Sequence, residues 1–128
     1  MAKQDNLNVI TSFVFLLPAA LSLYYKIYWH FILILLAVIF SVLFHMKKGK
    51  NFEKLDRFFV IALIAYNFYL LYLSGFVIFY TVLATLFVVL AFHFFYKAKT
   101  SNYNLNHSLW HLSSAVITLL CILSYTSA

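Results

Sequence analysis

Residues 76–96 read FVIFYTVLATLFVVLAFHFFY, a run of 21 residues without a single Asp, Glu, Lys, Arg, Gly or Pro. An α-helix rises 1.5 Å per residue, so about 20 such residues cross the ~30 Å hydrocarbon core of a bilayer. The run is too long and too apolar for an ordinary helix of a water-soluble domain. It predicts a transmembrane helix.

Four further apolar segments of similar length surround this one. We place the five predicted helices at about residues 7–25, 28–46, 55–73, 76–96 and 106–126. Of the 128 residues, 66% are hydrophobic and only 9% are charged, and a soluble domain of this size cannot bury so much apolar surface. No linker divides the chain. The sequence therefore predicts one domain, residues 1–128, folded as an all-α integral membrane bundle.

Two local features refine this expectation. Pro18 lies inside the first segment and predicts a kink there, because proline lacks the N–H of a helical hydrogen bond. Ser74 and Gly75 leave room only for a tight turn between the third and fourth helices, which predicts an antiparallel helical hairpin. The first segment follows a weakly basic start that includes Asp5, so we expect it to be retained rather than cleaved as a signal peptide.

The basic residues predict the orientation of the bundle. The chain has nine Lys and Arg against three Asp and Glu, a net charge of +6. Only Lys26 lies on one predicted side, and the other side carries Lys3, Lys47, Lys48, Lys50, Lys54, Arg57, Lys97 and Lys99. By the positive-inside rule the N-terminus is cytoplasmic and the C-terminus is outside. The bilayer accounts for the charge, and we expect no nucleic-acid partner.

Five polar residues fall at one predicted depth in the membrane. His107 and His111 begin the fifth helix four residues apart, and therefore lie on one helix face. Ser41 and His45 end the second helix with the same spacing, and Asp56 begins the third. Because successive helices run in opposite directions, all five lie within about two helical turns of the cytoplasmic edge.

These residue types suit a metal site. Three neutral imidazoles, from His45, His107 and His111, can hold Zn²⁺ and leave a fourth position for water, whose pKa zinc lowers to about 7. Asp56 can accept a proton from that water or orient a ligand imidazole. Ser41 can donate a hydrogen bond to the water or to a developing oxyanion.

Each residue also has an ordinary structural interpretation. Asp56 can pair with Arg57 or Lys54 in the first turn of its helix. Ser41 can donate to a carbonyl of its own helix, as serines in apolar helices commonly do. The three histidines can be interfacial residues that bind no metal.

Three more polar residues lie outside this group. His93 is a candidate fourth ligand, but its Phe-rich surroundings favour an interfacial position. We expect His30, at the outer end of the second helix, to be an interfacial residue as well. Asn67 predicts a hydrogen bond between helices.

The order of these residues resembles the CREST superfamily of transmembrane metal-dependent hydrolases, which includes alkaline ceramidases and the progestin and adipoQ receptors. The matching elements are Ser41 with His45, then Asp56, then His107 with His111. The resemblance implies zinc held by the three histidines, with Asp56 and Ser41 around the metal-bound water, and hydrolysis of a lipid amide. Family members have a core of seven helices, whereas this chain has five. With two helices fewer, the bundle either encloses a cavity too small for a ceramide-like molecule or leaves the cavity open to lipid or to a second subunit, so a homo-oligomer is compatible with the sequence.

We therefore expect a ceramidase-like zinc-dependent hydrolase of a lipid amide or ester, with a membrane lipid as substrate and the site near the cytoplasmic face. One alternative is a non-catalytic, metal-stabilised membrane protein, receptor-like or a subunit, which needs the histidines but not Asp56. A second is a haem-binding electron-transfer protein. Axial haem ligands usually come from facing helices, so histidines four apart on one helix fit this alternative poorly.

The charge distribution makes a prediction about topology. Fused after Ala128, a reporter that works only outside the cytoplasm should be active, and one that works only in the cytosol should be inactive. The reason is that eight of the nine basic residues belong to the opposite side. A matched fusion in the loop between Lys47 and Lys50 should show the reverse. A C-terminal reporter that works only in the cytosol would contradict the predicted orientation.

Overall fold

The structure, a computed structural model, describes residues 3–47 and 49–127, and within them every regular element is helical. The elements are α1 (Lys3–Ser12), a 3₁₀ turn (Phe13–Phe15), α2 (Leu16–Tyr24), α3 (Tyr28–Lys47), α4 (Lys50–Leu73), α5 (Ile78–Thr100) and α6 (Tyr103–Ser127). The first three form one rod. Together with α3 to α6 it makes five helices long and apolar enough to cross a membrane. The predicted all-α class and the presence of five helices of membrane-spanning length are confirmed.

The helices extend past the apolar segments that predicted them. α4 begins at Lys50 rather than at residue 55, and α5 continues to Thr100 rather than ending at residue 96. Hydropathy marks only the part of a helix that lies in hydrocarbon. Helix ends that carry lysines can extend beyond it, because lysine side chains are well solvated in the polar headgroup region of a bilayer.

The kink expected at Pro18 takes the form of a tightened turn. The 3₁₀ turn Phe13–Phe15 lies just before the proline, and the Leu16 N–H donates to the Phe13 carbonyl. Proline has no N–H to donate to the residue four before it, and its ring crowds that carbonyl. A local switch to i→i+3 bonding relieves both problems.

α6 lies at the centre of the bundle. It packs against α1, α2, α4 and α5, while α3 packs against α4 and the first rod. The side of α5 that packs on α6 carries small residues, Ala84, Ala91 and Ala98, each seven residues apart and buried. Small residues let helix backbones approach closely, which is how helices associate in an apolar medium.

α4 and α5 are joined by a tight turn but do not pack together. Gly75 and Phe76 have φ of 72° and 54°, and the turn reverses the chain as predicted. Among the described residues, however, α5 packs on α6 and makes little contact with α4. The expected hairpin is therefore a pair of consecutive antiparallel helices with a gap between them.

A chain of hydrogen bonds links four helices in the half of the bundle that contains this turn. The His30 ring lies 2.7 Å from Ser22 Oγ through Nδ1 and 2.8 Å from Asn67 Oδ1 through Nε2. Asn67 Nδ2 then donates to Thr118 Oγ1 at 3.0 Å. Since Asn67 Oδ1 only accepts, His30 Nε2 carries the proton and Nδ1 accepts from Ser22. The hydrogen bond expected of Asn67 is confirmed.

The expectation that His30 is an interfacial residue is wrong. Its side chain is fully buried, because it points from the start of α3 into the region where α2, α4 and α6 meet. Its position near the helix end indicated depth along the membrane normal and gave no information on which face it occupied.

Replacing His30 with Ala should therefore destabilise the fold by at least the ~1–3 kcal/mol expected when buried hydrogen-bonding partners are left unsatisfied. Thermal unfolding of the purified protein in detergent measures the effect. His93→Ala is the matched control, since His93 is exposed. Equal melting temperatures for the two variants would show that the His30 chain contributes nothing to stability.

Candidate metal centre

Three histidines from two helices meet at one end of the bundle. His45 comes from the last turn of α3, and His107 and His111 come from the first turns of α6. One ring nitrogen of each lies within 4.8 Å of those of the other two. The ring centroids are 4.6 Å apart for His107 and His111, and 4.9 Å and 5.6 Å apart for His45 with each of them. The predicted convergence of these residues is confirmed.

The surroundings of the cluster suit an ion. His45 and His111 are buried, with 3% and 7% of their surface exposed. The Nε2 atom of His107 is buried and has no hydrogen-bond partner. An unsatisfied buried polar atom costs about 1–3 kcal/mol, and a bound cation would remove that cost. The cluster could hold a metal ion, and three imidazoles suit zinc as well as copper or nickel.

The spacing is close to what a metal requires. Zinc–nitrogen bonds of about 2.0–2.1 Å in a tetrahedral site place the ligand nitrogens about 3.4 Å apart. The observed upper separation of 4.8 Å is about 1.4 Å larger, so the rings would have to move together on binding an ion. Small rotations of side chains that already share one face of α6 and one end of α3 would close the difference.

Asp56 lies on the second turn of α4 rather than on the predicted first turn, and it lines the same cavity as His107 and His111. Its Oδ1 atom is buried without a hydrogen-bond partner. Arg57 instead pairs with Glu53 at 2.7 Å, and within residues 3–47 and 49–127 no ion pair joins Asp56 to Arg57 or Lys54. The ion-pair interpretation of Asp56 is therefore not supported by the fold.

Ser41 also lines this cavity, one turn deeper than His45. Its hydroxyl lies 2.9 Å from Ser12 Oγ, which itself donates to the Asn8 carbonyl at 2.8 Å. Since Ser12 uses its proton on that carbonyl, Ser41 donates to Ser12. The hydrogen-bond partner of Ser41 is thus a side chain of another helix rather than a carbonyl of its own helix. A role for Ser41 at an oxyanion requires its hydroxyl to turn, and stays a prediction.

The polar residues of α1 were missed by the sequence analysis. Asn8, Thr11 and Ser12 are buried and contact the elements that carry the site. Their spacing of three and four residues in an otherwise apolar segment was the available signal, because it places all three on one helix face. His93, the candidate fourth ligand, is exposed beside Phe94 and does not belong to the cluster.

An elongated cavity of about 330 Å³ extends from the cluster. It lies in the gap between α4 and α5, with α6 as its floor, and its walls are mostly apolar. Asp56 and His107 line one end, and Leu71 and Phe76 line the other. The fifteen helical steps of α4 from Asp56 to Leu71 correspond to about 22 Å of helix.

Comparisons of this chain with protein-family models, with curated proteins and with solved structures found no match. The resemblance to the CREST superfamily accordingly stays a prediction that rests on five residues and their order. The interpretation of the site rests on its geometry.

The cluster makes a direct prediction about metal content. The purified protein should bind about one zinc ion per chain, and His107→Ala should lose it, because three imidazoles are the fewest that leave a stable open site. Zinc should also no longer stabilise the His107→Ala variant, since a ligand raises the stability of a protein when it binds only the folded state. Metal analysis and melting curves with and without zinc test both. His93→Ala should keep the metal, and full occupancy in His107→Ala would refute the assignment.

Proposed function

We propose that this protein is a zinc-dependent hydrolase of a lipid amide or ester, embedded in the membrane. One observation carries the proposal: a cluster of three histidines and a buried, unpartnered carboxylate oxygen of Asp56 lie at one end of a long apolar cavity. A structural metal site needs neither the carboxylate nor the cavity.

His45, His107 and His111 would hold the zinc ion. Zinc bound by three imidazoles polarises a carbonyl group and lowers the pKa of a coordinated water to about 7. His107 and His111 line the cavity, so an ion held there is accessible to a molecule inside it. The burial of the cluster among aromatic rings keeps bulk water away, which strengthens electrostatic interactions at the site.

Asp56 would act as the general base and acid. Its carboxylate takes a proton from the attacking water and returns it to the departing nitrogen or oxygen, which must be protonated to leave. The Oδ1 atom is available for this because no neighbouring donor uses it. Arg57 is occupied by Glu53 and so does not neutralise Asp56 by direct contact.

The cavity indicates the substrate class. Its length of about 22 Å exceeds the ~15 Å depth of one leaflet, half of a ~30 Å hydrocarbon core, so one acyl chain fits along it. Apolar side chains from α4 and α5, such as Ile64 and Val88, suit such a chain. The scissile carbonyl of a lipid amide or ester would then lie at the polar end, beside Asp56 and the histidines.

The side of the membrane follows from the charge distribution. The histidines lie at the ends of α3 and α6 next to the loops that carry most of the lysines. If these loops are cytoplasmic, as the positive-inside rule predicts, the site lies near the cytoplasmic face.

A second candidate function is a non-catalytic protein stabilised by metal. It is favoured by the packing of α3 and α6, which make little close contact except through the histidine cluster. A metal there would connect two helices that otherwise share few contacts. This alternative gives no role to Asp56.

Asp56→Asn separates the two functions. Asparagine has nearly the same shape but cannot accept the proton, so the variant should keep zinc and lose hydrolysis by the ~10²–10⁴-fold typical of general acid–base catalysis. The assay offers purified protein a panel of N-acyl and ester lipids and measures released fatty acid. Lys54→Gln, two residues earlier on α4 and exposed, is the matched control and should retain activity, because it leaves the Glu53–Arg57 pair intact.

Two results would contradict the proposal. If Asp56→Asn releases fatty acid at the wild-type rate, Asp56 is not the base. Zinc-loaded wild-type protein that releases no fatty acid across the whole panel would favour the non-catalytic function.

A further inference from the structure

The polar face of α1 contacts both helices that carry the histidine cluster. Asn8 Nδ2 donates to Asn104 Oδ1 at 2.9 Å, and Asn8 Oδ1 accepts from Ser108 Oγ at 2.8 Å. Ser12 contacts Ser41 on α3. Thr11 Oγ1 lies 2.9 Å from Nδ1 of His111, and the Asn8 carbonyl also accepts a hydrogen bond from the His111 ring. These last two contacts involve a ring that could bind the ion.

The direction of the hydrogen bond between Thr11 and His111 follows from the other contacts of the threonine. Its Oγ1 lies 2.9 Å from the Leu7 carbonyl and 3.2 Å from the Asn8 carbonyl, and both can only accept. A hydroxyl has one proton, and here it is used on the backbone. Towards His111 the Thr11 oxygen therefore accepts, and Nδ1 of His111 is the atom that carries the ring proton.

We propose that Thr11 is a positioning residue for the metal centre, which holds His111 as the Nδ1–H tautomer with its Nε2 lone pair free for the ion. The inference rests on the proposed metal-binding function and adds a residue to it. A neutral imidazole has one protonated and one unprotonated nitrogen, and the hydrogen bond at one determines which nitrogen can bind a metal.

Phe15 supports the orientation of the ring but does not select the tautomer. Its ring meets His111 edge-on, with centroids 6.5 Å apart. An aromatic contact of this kind restricts rotation of the imidazole and is nearly indifferent to which nitrogen is protonated. The choice of nitrogen therefore depends on two acceptors of α1, the Asn8 carbonyl and the hydroxyl of Thr11, which is buried with 6% of its surface exposed.

Thr11→Val tests the proposal, because valine keeps the shape of threonine and lacks the hydroxyl. In a competition with a chromophoric zinc chelator, Thr11→Val should bind zinc ~10–100-fold more weakly than wild type, the usual effect of losing a hydrogen bond to a ligand histidine. Thr11→Ser restores the hydroxyl and should restore the affinity. Thr118→Val is the matched control, since Thr118 is equally buried and bonds to Asn67 instead of to the cluster.

A second measurement needs no metal. Nitrogen-15 NMR of the imidazole side chains in the zinc-free protein should show His111 as the Nδ1–H tautomer in wild type and Thr11→Ser. Thr11→Val, if it folds, should show a mixture of tautomers. The tautomer ratio measured by NMR distinguishes selection of the tautomer by Thr11 from a general loss of stability.

The outcomes distinguish this inference from the proposed function. A wild-type protein that binds no zinc would overturn both. Wild-type affinity in Thr11→Val, or an Nε2–H tautomer of His111 in the zinc-free wild type, would overturn the role of Thr11 and leave the metal site standing. Equal losses of affinity in Thr11→Val and Thr118→Val would reduce Thr11 to a structural residue.

Discussion

A polar side chain inside hydrocarbon has no water to bond and must find its partners within the protein, on its own helix or on another. In this bundle that constraint produces two groups of contacts at opposite ends. One is the chain from Ser22 through His30 and Asn67 to Thr118, in which each donor has an acceptor. The other joins the polar face of α1 to the histidine cluster. The arrangement of α1, α3, α4 and α6 depends on both.

The histidine cluster differs from the other group because it is incomplete. Nε2 of His107 and Oδ1 of Asp56 are buried without partners, although the neighbouring serines and threonine are fully bonded. Such an imbalance is costly where no water can enter, so it requires a reason outside the bundle itself. A bound cation and a reacting molecule supply one, and these are the components of the proposed hydrolase.

The position of helix α5 determines on which side the histidine cluster is accessible. Its alanine face packs closely on α6, and its other faces carry large apolar residues such as Phe79 and Val89 that are exposed. Because α5 packs along α6 rather than along α4, a gap remains between α4 and α5 at the cavity. A bundle of five helices thus leaves the histidine cluster covered at its polar end and accessible along an apolar one.

The sequence by itself determined that there are five helices long and apolar enough to span a membrane and that the three histidines come together, because length, hydropathy and spacing along a helix are local properties. It also predicted that Asp56 and Ser41 lie at the level of the histidines, and both line the cavity there, although their roles stay predictions. Only the tertiary structure decided that His30 is buried, that Thr11 meets His111, and that α4 and α5 stand apart. Those outcomes depend on how each helix is rotated against its neighbours, which is determined by the packing of all the helices together.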